Sequence, residues 1–165
     1  MNEVLNNIDD ILSAVYRKDV KALASLTPST VNMTDEDGRT PLMHAILAED
    51  ADASIVRMLI DSKANVDASD YGEKWTALHF AARDQNKAIV RLLLEAGAKV
   101  DPVDAFGNTP LWRSVMNSNS SLAAIKELVE RGADPYKKNN KGIAPIDIAH
   151  EIGRADIVAL FEGTA

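Results

Sequence analysis

Four stretches of the chain carry one pattern: DEDGRTPLMHAI from Asp35, DYGEKWTALHFAA from Asp70, DAFGNTPLWRSV from Asp104 and NNKGIAPIDIA from Asn139. The apolar residue behind the Thr-Pro-like pair falls at Leu42, Leu78, Leu111 and Ile146, at spacings of 36, 33 and 35 residues. A unit of that length cannot bury its own apolar face, so such a chain folds by stacking its units over a shared core. Each pattern is followed by an apolar run of helical period, namely IVRMLI, IVRLLLEAGA, IKELVERGAD and IVALFE. The predicted unit is therefore a turn followed by two short helices.

The local chemistry agrees with that reading. Thr40 and Thr109 are suited to cap a helix, with Pro41 and Pro110 at its first position, where a missing N–H costs nothing. Leu42 with Ala45, Leu78 with Ala81 and Ala82, and Leu111 form one apolar face on this inner helix, and the small alanines admit its partner closely. Gly97 and Gly132 fall where the second helix should end, in the left-handed conformation that glycine tolerates. Lys63 stands at the equivalent place in the first unit and is expected to hold the same conformation at a cost. The second unit has one extra residue between Asp70 and Thr76, and EDADAS and NSNSSL each lengthen the link between two helices.

With its Thr-Pro-Leu-His-x-Ala-like signature at a period near 33, this pattern resembles the ankyrin repeat. A segment before it, ILSAVYRKDVKALASL from Ile11, resembles a degenerate N-terminal capping repeat. The resemblance implies an all-α solenoid of helix-turn-helix pairs joined by short hairpin-like turns. It implies a single domain over residues 1–165: a degenerate cap over about 3–34, repeats over 35–69, 70–103 and 104–138, and a C-terminal capping repeat over 139–165. The family's usual histidine survives only at His79, where a structural role is expected, with Met43, Trp112 and Asp147 in its place elsewhere.

Composition excludes several functions. The chain has no cysteine, so disulfides, thiol nucleophiles and sulfur-based zinc sites are ruled out. A net charge of −7 does not suit nucleic acid, whose capture needs a basic footprint. No apolar run reaches membrane-span length, and the acidic start MNEVLNNIDD is unlike a secretory leader, so a cytoplasmic location without membrane association is expected. The glycosylation patterns at Asn32 and Asn119 then carry no meaning. No phosphate loop, nucleophile elbow or metalloprotease motif occurs, and His44, His79 and His150 fall at three different places in the repeat. His150 is expected to be half-buried. Asp35, Glu36 and Asp37 lack the spacing of a calcium loop. No enzyme, cofactor or metal site is therefore expected.

Binding is what remains. Stacks of this kind bind through their turn tips and the open side of the inner helices. The candidate partner-binding residues are Arg39, Tyr71, Lys74, Trp75, Phe106 and Asn108 on the tips. On the helices they are Tyr16, His44, Phe80, Arg83, Asp84, Arg113 and Met116. Five of the eight aromatic residues (Tyr16, Tyr71, Trp75, Phe80 and Phe106) map to this face, while Leu, Ile, Val and Ala suffice for the core. Trp75, in the lengthened turn, is expected to face a partner rather than fold over its own turn. Lys126 and Glu127 are expected on the back, away from it. The chain is predicted to be monomeric when free and to bind another protein, inhibiting or masking it. A bacterial immunity protein that neutralises a toxin is one alternative, and a small-ligand site or weak enzyme in the groove is a less favoured one.

Overall fold

The computed structural model describes residues 5–118 and 121–163. The Asn119 pattern and the outermost residues of both predicted capping repeats lie outside them. Ten α-helices appear among the described residues, in five pairs. The inner helices are α1 (Ile8–Tyr16), α3 (Pro41–Leu47), α5 (Ala77–Arg83), α7 (Pro110–Met116) and α9 (Pro145–Glu151). Each is followed by an outer one: α2 (Val20–Leu23), α4 (Ala53–Asp61), α6 (Lys87–Glu95), α8 (Ala123–Glu130) and α10 (Ala155–Glu162). Each inner helix packs against the next inner helix, and the outer helices do likewise from α2 to α8. This is the expected all-helical solenoid.

The caps act as predicted. Thr40 Oγ1 accepts the Met43 N–H at 3.4 Å, and Thr109 Oγ1 accepts the Trp112 N–H at 3.2 Å. At α9 the cap is Ala144, which has no acceptor, and the carboxylate of Asp147 instead accepts the Ala144 N–H at 2.8 Å. The core runs the length of the stack through Ile11, Leu42, Leu78, Leu111, Ile125 and Phe161, all fully buried. Ala45, Ala81, Ala82 and Ala149 are buried with them and let the helices approach closely.

Gly97 and Gly132 have φ values of +89° and +90°, and Lys63 joins them at +72°. Lys63 is exposed and its carbonyl accepts from Asn32, so its side chain has no evident packing role. Replacing Lys63 by glycine should therefore raise stability by about 1 kcal/mol, the cost of a β-carbon in a left-handed backbone. Chemical denaturation measures this, and a less stable variant would refute it. Sequence reasoning missed three further left-handed residues, Lys18, Lys74 and Gln85. Two of them bridge to another repeat: Lys18 Nζ donates to the Asp50 carbonyl at 3.0 Å, and Gln85 Nε2 to the Ser114 carbonyl at 2.7 Å.

Two expectations about the back and the end of the stack are corrected. Glu127 is 2% exposed, not solvent-facing, because Arg91 of α6 and Arg131 clamp its carboxylate between neighbouring outer helices. The Arg91 hydrogen bonds, foremost, hold the Glu127 carboxyl below its ordinary range against the opposing effect of burial. His150 is exposed, not half-buried. Asn32, set aside as a chance glycosylation pattern, links two repeats, since its side-chain Oδ1 accepts the Asn65 N–H at 2.7 Å.

Candidate functional site: the turn tips and inner-helix face

Each turn is built around one side chain. Asp35 Oδ1 accepts the N–H groups of Asp37 and Arg39, and Asp104 Oδ1 those of Phe106 and Asn108. Asn139 Oδ1 does the same for Lys141 and Ile143, and Asp70 Oδ1 accepts the Trp75 N–H at 2.9 Å. Successive tips are then tied to each other through Tyr71 N–H to Asp37 O at 2.8 Å, Ala105 N–H to Glu73 O at 2.8 Å, and Asn140 N–H to Phe106 O at 3.0 Å. The tips form one continuous ribbon whose backbone polar groups are largely satisfied. A side chain carried on it is held in register with its neighbours two repeats away.

The second oxygen of the turn aspartate reaches the fourth residue beyond the helix cap. Asp35 Oδ2 lies 2.8 Å from His44 Nε2, and Asp104 Oδ2 accepts from Arg113 Nε at 3.0 Å. In the second repeat that helix position is Phe80, which cannot donate. Asp70 Oδ2 has instead Arg39 of the preceding repeat, with Nε at 3.9 Å, beyond hydrogen-bond length. Burial works to raise the Asp104 carboxyl, but the Arg113 guanidinium and the backbone donors outweigh it and hold the group below its usual range. The same balance holds for Asp35, where the Arg39 N–H and His44 outweigh burial.

Two predicted tip aromatics stand in solvent: Tyr71 is 70% exposed and Phe106 52%. Tyr16 and Met116 are exposed on the inner-helix side, and Lys74 and Asp84 are exposed as well. The Tyr71 ring crowds Gly38, where an added β-carbon would fall 2.5 Å from it, and the backbone there is left-handed at φ +76°, so glycine suits the first tip on both counts.

Trp75 and Phe80 depart from expectation. They are 7% and 4% exposed and belong to the core rather than to a solvent-facing patch. The cause is the left-handed Lys74, with φ at +58°, which absorbs the extra residue in the tip. Trp75 thereby occupies the position of Arg39 and Asn108, directly before the helix cap, and its ring turns back over α5. It lies 6.0 Å from the His79 ring and 5.0 Å from that of Phe80, centre to centre. The Arg113 guanidinium sits 4.5 Å above the indole and that of Arg83 5.5 Å from it, in cation–π range.

Asn108 and His44 are also buried, contrary to their placement on the open face. The Asn108 amide donates to Asp104 Oδ2 at 3.2 Å and accepts from Asn139 at 2.7 Å, which keeps it inside the turn ribbon. His44 is enclosed because Asp35 holds one ring nitrogen while the Tyr16 hydroxyl lies 2.7 Å from the other. His79 is fully buried, with Nδ1 accepting the Thr76 N–H at 3.1 Å and Nε2 lying 3.1 Å from the Asn108 carbonyl. Burial, above all, pushes its pKa down from 6.5 to about 4, so the ring is neutral at physiological pH and bridges two repeats.

Five of the residues singled out in the sequence meet at one place. Arg39, Trp75, Phe80, Arg83 and Arg113 line an open depression of about 470 Å³, with Asp37, Asp70 and Glu73 among the acids around it. Tyr71 belongs to the tip whose Gly72 and Glu73 line it, and Phe106 to the next tip. Tyr16 and Met116 do not line it. Among the described residues, no group of three or more His, Asp or Glu side chains is placed to hold a metal ion. No helix among them is long and apolar enough to cross a membrane.

A family model described as ankyrin repeats, in three copies, matches residues 11–104 and again 48–141. A search of curated proteins finds no match. The two overlapping matches together span residues 11–141, well over half of the chain, and they take in the helix pairs from α3 to α8, the Thr-Pro caps and the first three turn tips. The chain belongs to the ankyrin repeats, a fold that is non-enzymatic and generally serves protein–protein interaction.

Proposed function

We propose that this chain binds one protein partner through the turn ribbon and the inner-helix face of its second and third repeats, and that it acts by masking the surface it covers. The observation that supports this is the exposure of Tyr71 and Phe106 on two consecutive tips. Each is fixed to a neighbouring tip by a backbone hydrogen bond, beside the depression floored by Trp75 and Phe80. Rigid aromatic residues rimmed by charge are what binding hot spots are made of, since they contribute contact area with little ordering cost. Three acids and three guanidiniums line the depression together, which suits a folded protein surface of mixed charge.

The test is affinity capture from the native cells, identification of the partner by mass spectrometry, and calorimetry with purified variants. Phe106→Ala and Tyr71→Ala should each weaken the complex by at least about thirtyfold, the effect of truncating a hot-spot aromatic. Phe106→Ala should leave the thermal melt within about half a kcal/mol of the parent, as for other exposed positions. Lys126→Ala, on the exposed side of α8, should leave affinity unchanged. If Lys126→Ala abolished binding while both aromatic variants bound normally, the docking face would be the outer one.

A further inference from the structure

We propose that Tyr16 is a reactive phenol that takes an acyl group from an activated ester or thioester, with His44 as its base and Asp35 orienting that base. A hydrogen-bonded chain of three side chains supports this. His44 Nε2 lies 2.8 Å from Asp35 Oδ2, and the Tyr16 hydroxyl lies 2.7 Å from His44 Nδ1. The far end is fixed, because Asp35 Oδ1 accepts the N–H groups of Asp37 and Arg39. Burial opposes ionisation of Asp35, but the Arg39 N–H and His44 outweigh it, so the group is a carboxylate. A carboxylate only accepts hydrogen bonds. In the neutral ring Nε2 must then carry the proton, which leaves Nδ1 as the acceptor and the Tyr16 hydroxyl as its donor.

Each member sits where such a role requires. His44 is 9% exposed and Asp35 half-buried, whereas Tyr16 is 53% exposed and reaches solvent. A phenol is a weak nucleophile near neutral pH unless a neighbouring base takes its proton during attack. Here Nδ1 is at that distance, and an edge-on contact of the two rings, 5.9 Å between centres, holds them together. The step balances without a further reagent. The Tyr16 oxygen bonds to the acyl carbon, and its proton passes to Nδ1. The bond to the leaving oxygen or sulfur breaks with its electron pair, and the leaving group then takes the proton from the imidazolium. A leaving group more acidic than a phenol drives transfer in this direction, which an activated ester or thioester supplies. A phosphoryl donor suits the site less well, since Asp35 and its tip neighbours Glu36 and Asp37 would repel a polyphosphate. Acylation also removes the proton that ties α1 to α3, so it would loosen the N-terminal helix pair on the first full repeat.

Tyr71 and Tyr136 are internal controls, being 70% and 52% exposed with no base at either hydroxyl among the described residues. The full chain is treated with 4-nitrophenyl acetate near neutral pH, and acetylation of each tyrosine is followed over time by peptide mass spectrometry. Tyr16 should be acetylated about a hundredfold faster than Tyr71 and Tyr136, the lower end of what a positioned general base supplies. Asp35→Asn separates the orientation of His44 from the fold. Its amide oxygen can still accept the two tip N–H groups, while its amide N–H meets Nε2, which moves the ring proton to Nδ1 and leaves the phenol without a base. Acetylation of Tyr16 should then fall to the rate of the other two tyrosines, whose own rates should not change. His44→Gln, which supplies no base, should do the same. Equal rates at all three tyrosines of the parent overturn the proposal. So does a Tyr16 advantage that persists in either variant, because exposure alone would then account for it.

Discussion

Replacing Trp75 by alanine is expected to lower folding stability by about 3–5 kcal/mol, the range for truncating a buried large aromatic. For a chain of this size that is a drop of roughly 6–20 °C in Tm. The indole packs on Phe80 and His79 and lies under the guanidiniums of Arg83 and Arg113, so its removal opens a cavity and deprives both cations of their aromatic partner. It also gives water a route toward the buried imidazole. Trp75→Phe should cost markedly less, since a ring still covers α5. Urea denaturation of both variants measures the difference. A Trp75→Ala protein that unfolds at the parent's midpoint would show that the ring does not pack on α5. Because the truncation affects folding, any affinity it loses cannot be assigned to contact with a partner, and Tyr71 and Phe106 are the positions that separate the two effects.

That reversal shows which part of the architecture was legible. The period, the Thr caps, the aliphatic faces and the left-handed Lys63 follow from backbone sterics and from burial, and both act on residue type at a fixed place in the repeat. The direction of a side chain in a turn of altered length depends on where the extra residue is absorbed. Counted forward from Asp70, Trp75 falls in the tip. Counted back from Thr76, it falls where Arg39 and Asn108 stand, at the edge of the core. The second count was the signal available. Thr76 begins a helix whose geometry is rigid, whereas Asp70 begins a turn that can lengthen, because Lys74 accepts positive φ. No comparable signal marks Lys18, Lys74 and Gln85 as left-handed, since none of them is the glycine or asparagine that usually advertises that conformation.

Contacts between repeats were the least legible of all. Asn32 with Asn65, Gln85 with Ser114, Arg91 with Glu127 and His79 with Asn108 join residues about 29 to 36 positions apart. Pairing them needs the register of one unit on the next as well as the repeat itself. Glu127 illustrates the consequence. Its place in the amphipathic pattern of α8 suggests solvent, yet a carboxylate there lies between two arginines, one of them from the preceding outer helix. Lys126, its neighbour, remains a sound control position because it is exposed.

The largest effect of pH should come from His79. Its pKa in the folded protein is pushed down from 6.5 to about 4, chiefly by burial, with Arg113 adding to the shift while the Asn108 carbonyl and the Asp104 and Asp70 carboxylates oppose it. The unfolded chain therefore binds a proton at this residue between pH 6.5 and 4, where the folded chain does not. Stability from the neutral, sealed ring is complete above about pH 6.5 and is lost as the pH falls toward 4. Linkage gives about 3 kcal/mol over that interval. The depressed carboxyls of Asp35, Asp104 and Glu127 lose their contributions lower in the scale, so this window belongs mainly to the imidazole. The variant His79→Gln separates it from every other titrating group, because an amide can accept from the Thr76 N–H and donate to the Asn108 carbonyl without taking up a proton. Measured by urea denaturation from pH 7 to pH 4, the parent should lose about 3 kcal/mol more than His79→Gln does. Parallel curves for the two proteins would mean that the ring is protonated at no cost in the folded state, and the bridge from Thr76 through His79 to Asn108 would then not depend on a neutral imidazole.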